Sequence, residues 1–485
     1  MINLGLQRIT ALVQPLFAAH PASLPWKAIH VAGTNGKGSV AALLSTFLSR
    51  SGYSVGRFTS PHLIDRWDCI TLDQRVVDRD LFLNVEREVR ARSHTDQIGA
   101  SDFEILTATA FELFTRGAVD VAVVECGLGG RLDATNVLRN QDVLISVLAK
   151  VGLDHTDLLG DTIEKITWEK AGIFKPGGVP VVVDASNDAQ VLRVVRARLE
   201  QLGTTQGVAV LDEAHVGLLS GGIEKMNQLR GRALAKHQEQ NLTTAWTAYT
   251  LAERRLRELK PLTRKVSGVN TTGQHVGDSG DWVQNVKQRA DELPQLVTTA
   301  HNSLRGRLEW LEIPDHLLVH DDEETSNKKT TASKMTRHQH NMVLIDGAHN
   351  PQSAHALAAY VDDTVRPRSP NQKMTWVLAA KSDKDVAAIM SILLRPGDNV
   401  VTCSFGPVDG MPWVKSMASR DLLQVAKRTI SHTPSVAEAA RDGNVKEALV
   451  RALEIAGQDG STVCVAGSLY LVGDVLRVIA SCNTI

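Results

Sequence analysis

A glycine-rich stretch between residues 30 and 44 has the residue types of a phosphate-binding loop. It reads HVAGTNGKGSVAALL and places Lys37 between two glycines. Glycines let backbone N–H groups approach phosphate oxygens, and a lysine beside them can stabilise the outer phosphates as a point charge. The spacing of the glycines is unusual, because only two residues separate Gly33 from Gly36, where the common phosphate-loop pattern has four. The residue types nevertheless predict a nucleotide site.

The elements around this loop are those that a phosphate site requires. An apolar strand is predicted at 28–32, directly before the glycines. Apolar residues at i, i+3, i+4, i+7 and i+8 spacing from Val40 to Leu48 predict a helix directly after them. Because the N-terminus of a helix adds partial positive charge, we favour a nucleotide site over a glycine-rich turn without a ligand.

Acidic and imidazole side chains follow two further predicted strands. Glu125 lies at the end of the apolar run 119–126, and Asp154 and His155 follow the run 143–148. Side chains at the C-terminal ends of parallel strands face the ligand crevice of such a sheet. We therefore expect Glu125 and His155 to bind magnesium beside the nucleotide, although a lone histidine is more often structural.

Two other stretches carry polar residues at element ends. The segment WEKAGIFK at 168–175 contains Lys170 and, taken alone, is typical of a helix end with a C-cap glycine. The segment LIDGAHNPQSA at 344–354 places Asp346 and His349 on the turn after a predicted strand. This turn is a second polar cluster in the second half of the chain.

Composition excludes several classes of function. The 485-residue chain has 53 basic and 54 acidic residues, so no global field favours nucleic acid or a membrane surface. Its five cysteines form no CxxC pair and no metal spacing, which indicates reduced thiols rather than a disulfide framework. No apolar run approaches membrane-spanning length. We expect a cytoplasmic monomer that binds small molecules, with a mitochondrial pool left open.

Strand and helix patterns alternate along the chain, which predicts an α/β fold with parallel sheets flanked by helices. Apolar runs that predict buried strands occur at 28–32, 119–126, 143–148, 179–184, 342–346, 374–380, 399–404 and 462–467. We expect a nucleotide-binding domain at 1–301 and a smaller α/β domain at 302–485. The polar stretches 263–281 and 321–340 cannot bury enough surface to offset chain ordering, so we predict flexible insertions there.

Eight short blocks occur in the order in which one enzyme family carries them. The blocks are HVAGTNGKGSV, FTSPHL, ECGLGGRLDATNV, LDHTDLLGDTIEKITWEKAGIFK, KHQEQNLTTA, RGRLE, LIDGAHNP and GSLYLVGDV. They resemble the signature series of the folylpolyglutamate synthase and dihydrofolate synthase family, within the Mur-ligase superfamily. The resemblance covers the chain except for the two insertions. It implies a Mur-ligase-type phosphate-loop domain followed by a Rossmann-like α/β domain.

This resemblance also implies an activity and a set of site residues. Members of the family use ATP and magnesium to join a carboxylic acid to the amino group of L-glutamate. The ATP contacts that it implies are Asn35, Gly36, Lys37, Gly38, Ser39, Asn241, Arg307 and Asp346. The metal ligands that it implies are Ser60, Glu125 and His155. The catalytic residues that it implies are Lys37, Lys170, which the family carries as a carbamate, and His349, which lies close to the phosphates.

The resemblance extends to a pocket for the pterin ring of the acceptor. Phe103 is suited to cover a planar ring. The residues implied for this pocket are Asn3, Leu4, Gly5, Ser101, Asp102, Phe103, Glu104, Leu132, Asp133 and Ala134.

One block favours a particular acceptor. The segment FGPVDGMPWVK at 405–415 resembles a block of fungal dihydrofolate synthases. We therefore expect ligation of L-glutamate to 7,8-dihydropteroate through an acyl phosphate, giving dihydrofolate, ADP and phosphate. The nearest alternative is a folylpolyglutamate synthase acting on tetrahydrofolate, alone or as a second activity. A peptidoglycan-type Mur ligase and a nucleotide-binding protein without ligase chemistry are more remote alternatives.

Overall fold

The chain forms two compact units. The computed structural model describes residues 5–203, 234–259, 292–314, 341–369, 371–429 and 436–482, with short pieces between 208 and 228. The first unit comprises Met1–His62 and Trp67–Leu304, and the second comprises Leu63–Arg66 and Arg305–Ile485. Some predictions lie outside the described residues, namely the flexible insertions at 263–281 and 321–340 and the pterin contacts Asn3 and Leu4.

The first unit is built on a largely parallel sheet. Its strands are β1 (Lys27–Ala32), β2 (Val55–Phe58), β3 (Ile70–Leu72), β4 (Arg75–Val76), β5 (Val121–Glu125), β6 (Val143–Leu148), β7 (Val181–Val183) and β8 (Val208–Ala209). Their order across the sheet is β4-β3-β2-β5-β1-β6-β7-β8. Strands from β2 to β8 along this order pair in parallel, and β3 and β4 add an antiparallel edge.

Helices pack on both faces of this sheet. They are α1 (Gln7–Ala19), α2 (Lys37–Arg50), α3 (Arg79–Thr95), α4 (Asp102–Arg116), α5 (Thr156–Leu159), α6 (Ile163–Ala171), α7 (Ala189–Gln201), α8 (Lys236–Leu259) and α9 (292–302). Alternate residues of β1 enter different cores. Ile29 and Val31 pack with α2 and α8, whereas Ala28 packs with α1 and α4. This two-sided burial is the reason that the strands read as continuous apolar runs.

The second unit repeats the design on a smaller scale. Its strands are β9 (Glu309–Glu312), β10 (Met342–Ile345), β11 (Met374–Leu378), β12 (Asn399–Thr402), β13 (Ala437–Ala439) and β14 (Thr462–Ala466), in the order β13-β12-β11-β14-β10-β9. All of these pairs are parallel except β9 with β10. Its helices are α10 (Pro351–Tyr360), α11 (Val386–Leu393), α12 (Ser419–Thr429), α13 (Val445–Asp459) and α14 (Leu469–Cys482). The predicted α/β fold is confirmed in both units.

A short segment from the first half of the chain belongs to the second unit. Leu63 and Ile64 pack against its apolar core. The carbonyl of Leu63 approaches so closely to Gly473 that a Cβ there would lie 2.0 Å from the oxygen. None of the helices in the described part of the chain has the length and hydropathy of a membrane span.

Candidate active site

The sheet topology of the first unit brings four loops to one edge. Strands β2, β5, β1 and β6 are successive neighbours and run parallel, so their C-terminal ends lie together. Ser60 follows β2, Glu125 ends β5, the glycine loop follows β1, and His155 follows β6. Because β1 lies between β5 and β6, the glycine loop comes between Glu125 and His155 along this edge.

The glycine loop is fixed by backbone contacts. Gly36 has φ +84° and precedes α2, whose first residue is Lys37. The N–H groups of Thr34 and Asn35 both donate to the carbonyl of Lys150, at 2.8 and 3.1 Å. The first backbone N–H groups of a helix have no acceptor within the helix. In α2 these N–H groups belong to residues that we predicted to contact the phosphates, among them the half-buried Ser39. The loop therefore presents its donors in a set geometry.

Asn241 is brought against this loop from the distant helix α8. A Cβ placed on Gly36 would lie 2.2 Å from Asn241 Oδ1. The asparagine side chain is buried. Two predicted ATP residues far apart in sequence are thus in direct contact, and a residue larger than glycine at position 36 would displace the amide.

Glu125 and Lys37 face each other beside the loop. Lys37 Nζ lies 3.8 Å from Glu125 Oε1 and donates to the carbonyl of Thr34 at 3.2 Å. A Cβ on Gly38 would lie 3.4 Å from Glu125 Oε2. A buried carboxylate next to a lysine and helical amides can bind a cation and phosphate oxygens side by side.

The predicted metal ligands are compatible with a hard divalent cation. Ser60 Oγ is buried and has no hydrogen-bond partner within the described residues, so it has an unused lone pair. Glu125 is buried, whereas His155 is exposed and has a left-handed backbone at φ +51°. In the described ranges, no three His, Cys, Asp or Glu side chains form a metal site by themselves. A cation at this edge would need the serine hydroxyl and oxygens of the nucleotide as well.

Lys170 lies under the glycine loop. It is buried in the last turn of α6, and its Nζ donates to the carbonyl of Gly33 at 2.9 Å. Burial, helped by the positive charge of Lys37, lowers the pKa of Lys170 to about 7, although nearby acidic groups act in the opposite direction. Much of this amine is therefore neutral at neutral pH. The helix end that we predicted is present, but the burial of its lysine was not visible in the local pattern.

Arg57 is a charged residue of this region that the sequence analysis missed. It lies in β2, its Nη1 donates to Ser303 Oγ at 2.8 Å, and its Nη2 donates to the carbonyl of Ser303 at 3.2 Å. Burial lowers the pKa of Arg57 to about 10, while the field of Glu125 raises it. The sequence signal that could have indicated this buried charge was the arginine inside the short strand VGRF.

The segment at 101–104 begins α4. Ser101 is its N-cap and forms a capping box with Glu104, whose Oε2 accepts from the Ser101 N–H at 2.7 Å. Arg8 donates to the same carboxylate at 2.9 Å, which links the start of α1 to this helix. Asp102 pairs with Arg90 at 3.0 Å. The side chains of Ser101, Asp102 and Glu104 therefore bond to other residues of the protein. The S-x-x-E pattern in the sequence could have indicated the capping box.

Phe103 lies against the loop that follows β5. Its ring stacks on Phe58 with centroids 6.1 Å apart and an interplanar angle of 29°. A Cβ on Gly127 would lie 2.4 Å from the ring, so only glycine allows this approach. The ring is half-buried, which leaves part of its surface available to a planar ligand.

Asp133 stabilises the loop that follows β5. Its carboxylate accepts from the N–H groups of Leu128 and Thr135, at 2.8 and 3.0 Å. Burial raises the pKa of Asp133, and these hydrogen bonds oppose that rise. Leu132 and Ala134, two further predicted pterin contacts, flank Asp133 in the sequence; Leu132 is half-buried, and Ala134 is buried at the start of a 3₁₀ turn. Gly5, also predicted for this pocket, precedes α1.

The predicted residues of the second unit converge around Gly347. Asp346 is buried and accepts from the N–H groups of Ala348 and Leu308, both at 2.8 Å. Burial raises the pKa of Asp346, and the charge of Arg307 opposes the rise. A Cβ on Gly347 would lie 2.5 Å from Arg307 Nη1.

His349 has its tautomer set by the same turn. Its Nδ1 lies 2.7 Å from the carbonyl of Gly347, which can only accept, so the ring proton is on Nδ1. Its backbone N–H donates to Ser353 Oγ at 3.1 Å. In the neutral ring the lone pair is therefore on Nε2.

The largely parallel sheet of the first unit and the second, smaller α/β unit match the Mur-ligase fold of solved folylpolyglutamate synthases. Folylpolyglutamate synthase from Mycobacterium tuberculosis, complexed with ADP, is 23% identical with a TM-score of 0.66, covering 99% of this chain and 95% of that chain. E. coli FolC in complex with DHPP and ADP is 22% identical with a TM-score of 0.65, covering 99% and 94%.

Sequence comparison assigns the family. Residues 328–478 match the model described as dihydrofolate synthetase, C-terminal domain. The probable dihydrofolate synthetase of Schizosaccharomyces pombe is 33% identical over 481 residues, and the dihydrofolate synthetase of Saccharomyces cerevisiae is 30% identical over 479. Each alignment covers 98% of both chains. The chain belongs to the dihydrofolate synthase and folylpolyglutamate synthase family, and it is an ATP-dependent ligase, as the sequence predicted.

Proposed function

We propose that the chain joins L-glutamate to 7,8-dihydropteroate and releases dihydrofolate, ADP and phosphate. The observation that carries this proposal is the full-length similarity to two fungal dihydrofolate synthetases at 33% and 30% identity. The human mitochondrial folylpolyglutamate synthase, in contrast, matches over 45% of the chain. A second candidate is a bifunctional enzyme, because a Bacillus subtilis dihydrofolate synthase/folylpolyglutamate synthase matches over 98% of the chain at 27% identity.

The geometry of the first unit supports activation of a carboxylate by ATP. A carboxylate does not react with amines at neutral pH. Its oxygen therefore attacks the γ-phosphorus, ADP leaves, and an acyl phosphate forms. The glutamate nitrogen then attacks the acyl carbon, phosphate leaves with its bridging oxygen, and the nitrogen loses a proton. Lys37 and the first amides of α2 stabilise the charge on the transferring phosphoryl oxygens.

Magnesium is the metal that we assign to this reaction, with Ser60, Glu125 and His155 as its protein ligands. When bound, it neutralises charge on the phosphates. Two observations support this assignment: the Ser60 hydroxyl has no hydrogen-bond partner among the described residues, and the carboxylate of Glu125 is buried. A bifunctional folylpolyglutamate synthase/dihydrofolate synthase of the same fold, 21% identical with a TM-score of 0.65, has been solved with Mn, AMPPNP and L-glutamate bound.

The remaining site residues are assigned by unit. In the first unit, Phe103 covers the pterin ring, and Asp133 and the α4 capping box keep the surrounding backbone in place. In the second unit, Arg307 and Asp346 act on ATP, and His349 presents Nε2 to the phosphates. The supporting observation is that the three residues of the second unit surround one glycine, Gly347.

Lys170 is assigned as a carbamate. A neutral lysine amine adds to CO₂ and loses a proton, giving an anion beside the glycine loop. The lowered pKa of Lys170, about 7, supplies the neutral amine. With ¹³C-bicarbonate, we expect a carbamate carbonyl NMR signal in the unaltered chain and in Lys165→Arg, whose lysine is exposed. The signal should vanish in Lys170→Arg, and a signal that persists there would refute the assignment.

A comparison of acceptors tests the proposed function. The full chain is given ATP, magnesium and labelled glutamate, with 7,8-dihydropteroate or tetrahydrofolate as the acceptor. We expect label to enter product with dihydropteroate only. Label in both products would establish the bifunctional candidate, and label with tetrahydrofolate alone would overturn the proposal.

We also assign the chain to the cytoplasm as a monomer. Cys69, Cys126, Cys403 and Cys464 are buried and in the thiol form, which fits a reducing compartment. Sedimentation of the purified chain at its monomer mass is the expected result, and a dimer would contradict the assignment.

A further inference from the structure

Arg57 is a buried cation to which the reaction described above gives no role. It is 3% exposed in β2, three residues before Ser60. Both of its terminal nitrogens donate to Ser303, one to the hydroxyl and one to the carbonyl. Its Nε is buried and has no acceptor within the described residues. A guanidinium buried in this way is costly unless negative charge lies close to it.

Glu125 supplies part of that negative charge. Strand β2 pairs in parallel with β5, with Arg57 opposite Val123. Because side chains alternate along a strand, Glu125, two residues beyond Val123, projects to the same face of the sheet as Arg57. The two side chains are close enough for their charges to interact.

The C-terminal end of α9 supplies the rest. Ser303 directly follows this helix, and its N–H donates to the carbonyls of Thr299 and Ala300 at 3.1 and 3.2 Å. Terminal helix carbonyls carry partial negative charge, and an arginine there is favourable. Arg57 therefore lies between a predicted metal ligand and the end of a helix.

The residue after Ser303 contacts the phosphate loop. Leu304 is the last residue of the first unit. A Cβ on Gly38 would lie 3.6 and 3.7 Å from its two methyl carbons, and 3.4 Å from Glu125 Oε2. A side chain at position 38 would thus meet both Leu304 and Glu125. Arg57 interacts with the charge of Glu125 and hydrogen-bonds to Ser303, the residue before Leu304.

We propose that Arg57 is a positioning residue for the metal and nucleotide site. Its guanidinium orients Glu125 and, through Ser303, holds Leu304 against Gly38, so that the carboxylate and the phosphate loop keep a fixed separation. The planar fork of arginine fixes its two contacts to Ser303 in one orientation, whereas a lysine ammonium is a flexible point donor that does not fix that orientation. This inference rests on the proposed role of Glu125 as a metal ligand and is independent of which folate is the acceptor.

Two substitutions test the proposal: Arg57→Lys keeps the charge but removes the planar fork, and Ser303→Ala removes one of its acceptors. In the full chain with ADP present, Mn²⁺ binding is titrated by electron paramagnetic resonance. We expect Arg57→Lys to raise the half-saturating Mn²⁺ concentration roughly tenfold, as the loss of an orienting partner does at other metal sites. Ser303→Ala should shift it less, in the same direction. At saturating metal, kcat should fall by a smaller factor than the half-saturating concentration rises.

Arg92 offers a matched control in the same unit. Its Nη1 donates to the carbonyl of Leu12 at 2.8 Å and its Nη2 to Glu112 at 2.9 Å, a fork of the same kind on α3. Arg92→Lys should leave the Mn²⁺ titration unchanged. Hydrogen exchange without metal or nucleotide gives a second readout, in which the amides of Ser303 and Leu304 should exchange faster in Arg57→Lys only.

Two results would overturn the inference. One is unchanged Mn²⁺ titration and exchange in both Arg57→Lys and Ser303→Ala. The other is unchanged Mn²⁺ binding in Glu125→Gln, which would remove the metal role on which the inference rests. A chain that binds Mn²⁺ and ADP as expected but makes no dihydrofolate would refute only the proposed acceptor.

Discussion

Lys37→Ala should abolish glutamate-dependent ADP release while leaving the chain folded. Lys37 begins α2, and its ammonium lies 3.8 Å from Glu125, where the outer phosphates of ATP would bind. Loss of one donor to a developing charge lowers kcat by roughly 10²–10³-fold at comparable sites. Steady-state ADP release, with and without glutamate, measures the effect. The fold should survive because Arg57 remains beside Glu125 to offset its buried charge.

Lys165→Ala is the control for this substitution. Lys165 is an exposed lysine of α6, paired with Asp161 at 2.8 Å on the surface. Surface pairs of this kind contribute little, so turnover and melting temperature should stay close to those of the unaltered chain. Full turnover by Lys37→Ala would show that the nucleotide assignment is wrong.

Gly36→Ala should weaken the binding of ADP. Gly36 has φ +84°, which an alanine adopts only with strain, and the added methyl group would lie 2.2 Å from Asn241 Oδ1. The asparagine amide must therefore turn away from the loop. We expect an increase in the Kd for ADP of tenfold or more, equivalent to about 1.4 kcal/mol, measured by calorimetric titration.

Gly52→Ala separates backbone strain from this clash. Gly52 lies just beyond the other end of α2 with φ +88°, and a Cβ there would meet nothing within 4 Å. Both substitutions should lower the free energy of unfolding by about 1–2 kcal/mol through strain alone. Only Gly36→Ala should weaken ADP binding. Equal affinities in the two variants would contradict the placement of Asn241 at the nucleotide.

Local patterns were sufficient for eight of the strands described in the two sheets, namely β1, β5, β6, β7, β10, β11, β12 and β14, but not for the other six. The run at 143–148 became β6, and the run at 342–346 contains the whole of β10, because strands buried on both faces must be apolar throughout. Strand β9 was missed, since its residues EWLE are only half-buried at an antiparallel edge and show no such run. The strand, glycine turn and helix around Gly36 were predicted because they are contiguous in the chain.

Contacts between distant segments could not be predicted in the same way. The approach of Asn241 to Gly36 and of Lys170 to Gly33 depends on how α8 and α6 pack, which no local periodicity encodes. The burial that lowers the pKa of Lys170 is a property of that packing. Residues 63–66 belong to the second unit, and nothing in their composition predicts this. Arg57 was missed because an arginine in a strand is usually exposed, and its partner Ser303 is remote in sequence.

The fate of the acceptor's carboxylate oxygens shows whether ATP activates the carboxylate by phosphorylation. Dihydropteroate labelled with ¹⁸O in its carboxylate is converted by the full chain with ATP, magnesium and L-glutamate, and the released phosphate is analysed by mass spectrometry. We expect one ¹⁸O atom in each phosphate and one in the new amide. Unlabelled phosphate, or ¹⁸O in AMP, would contradict it.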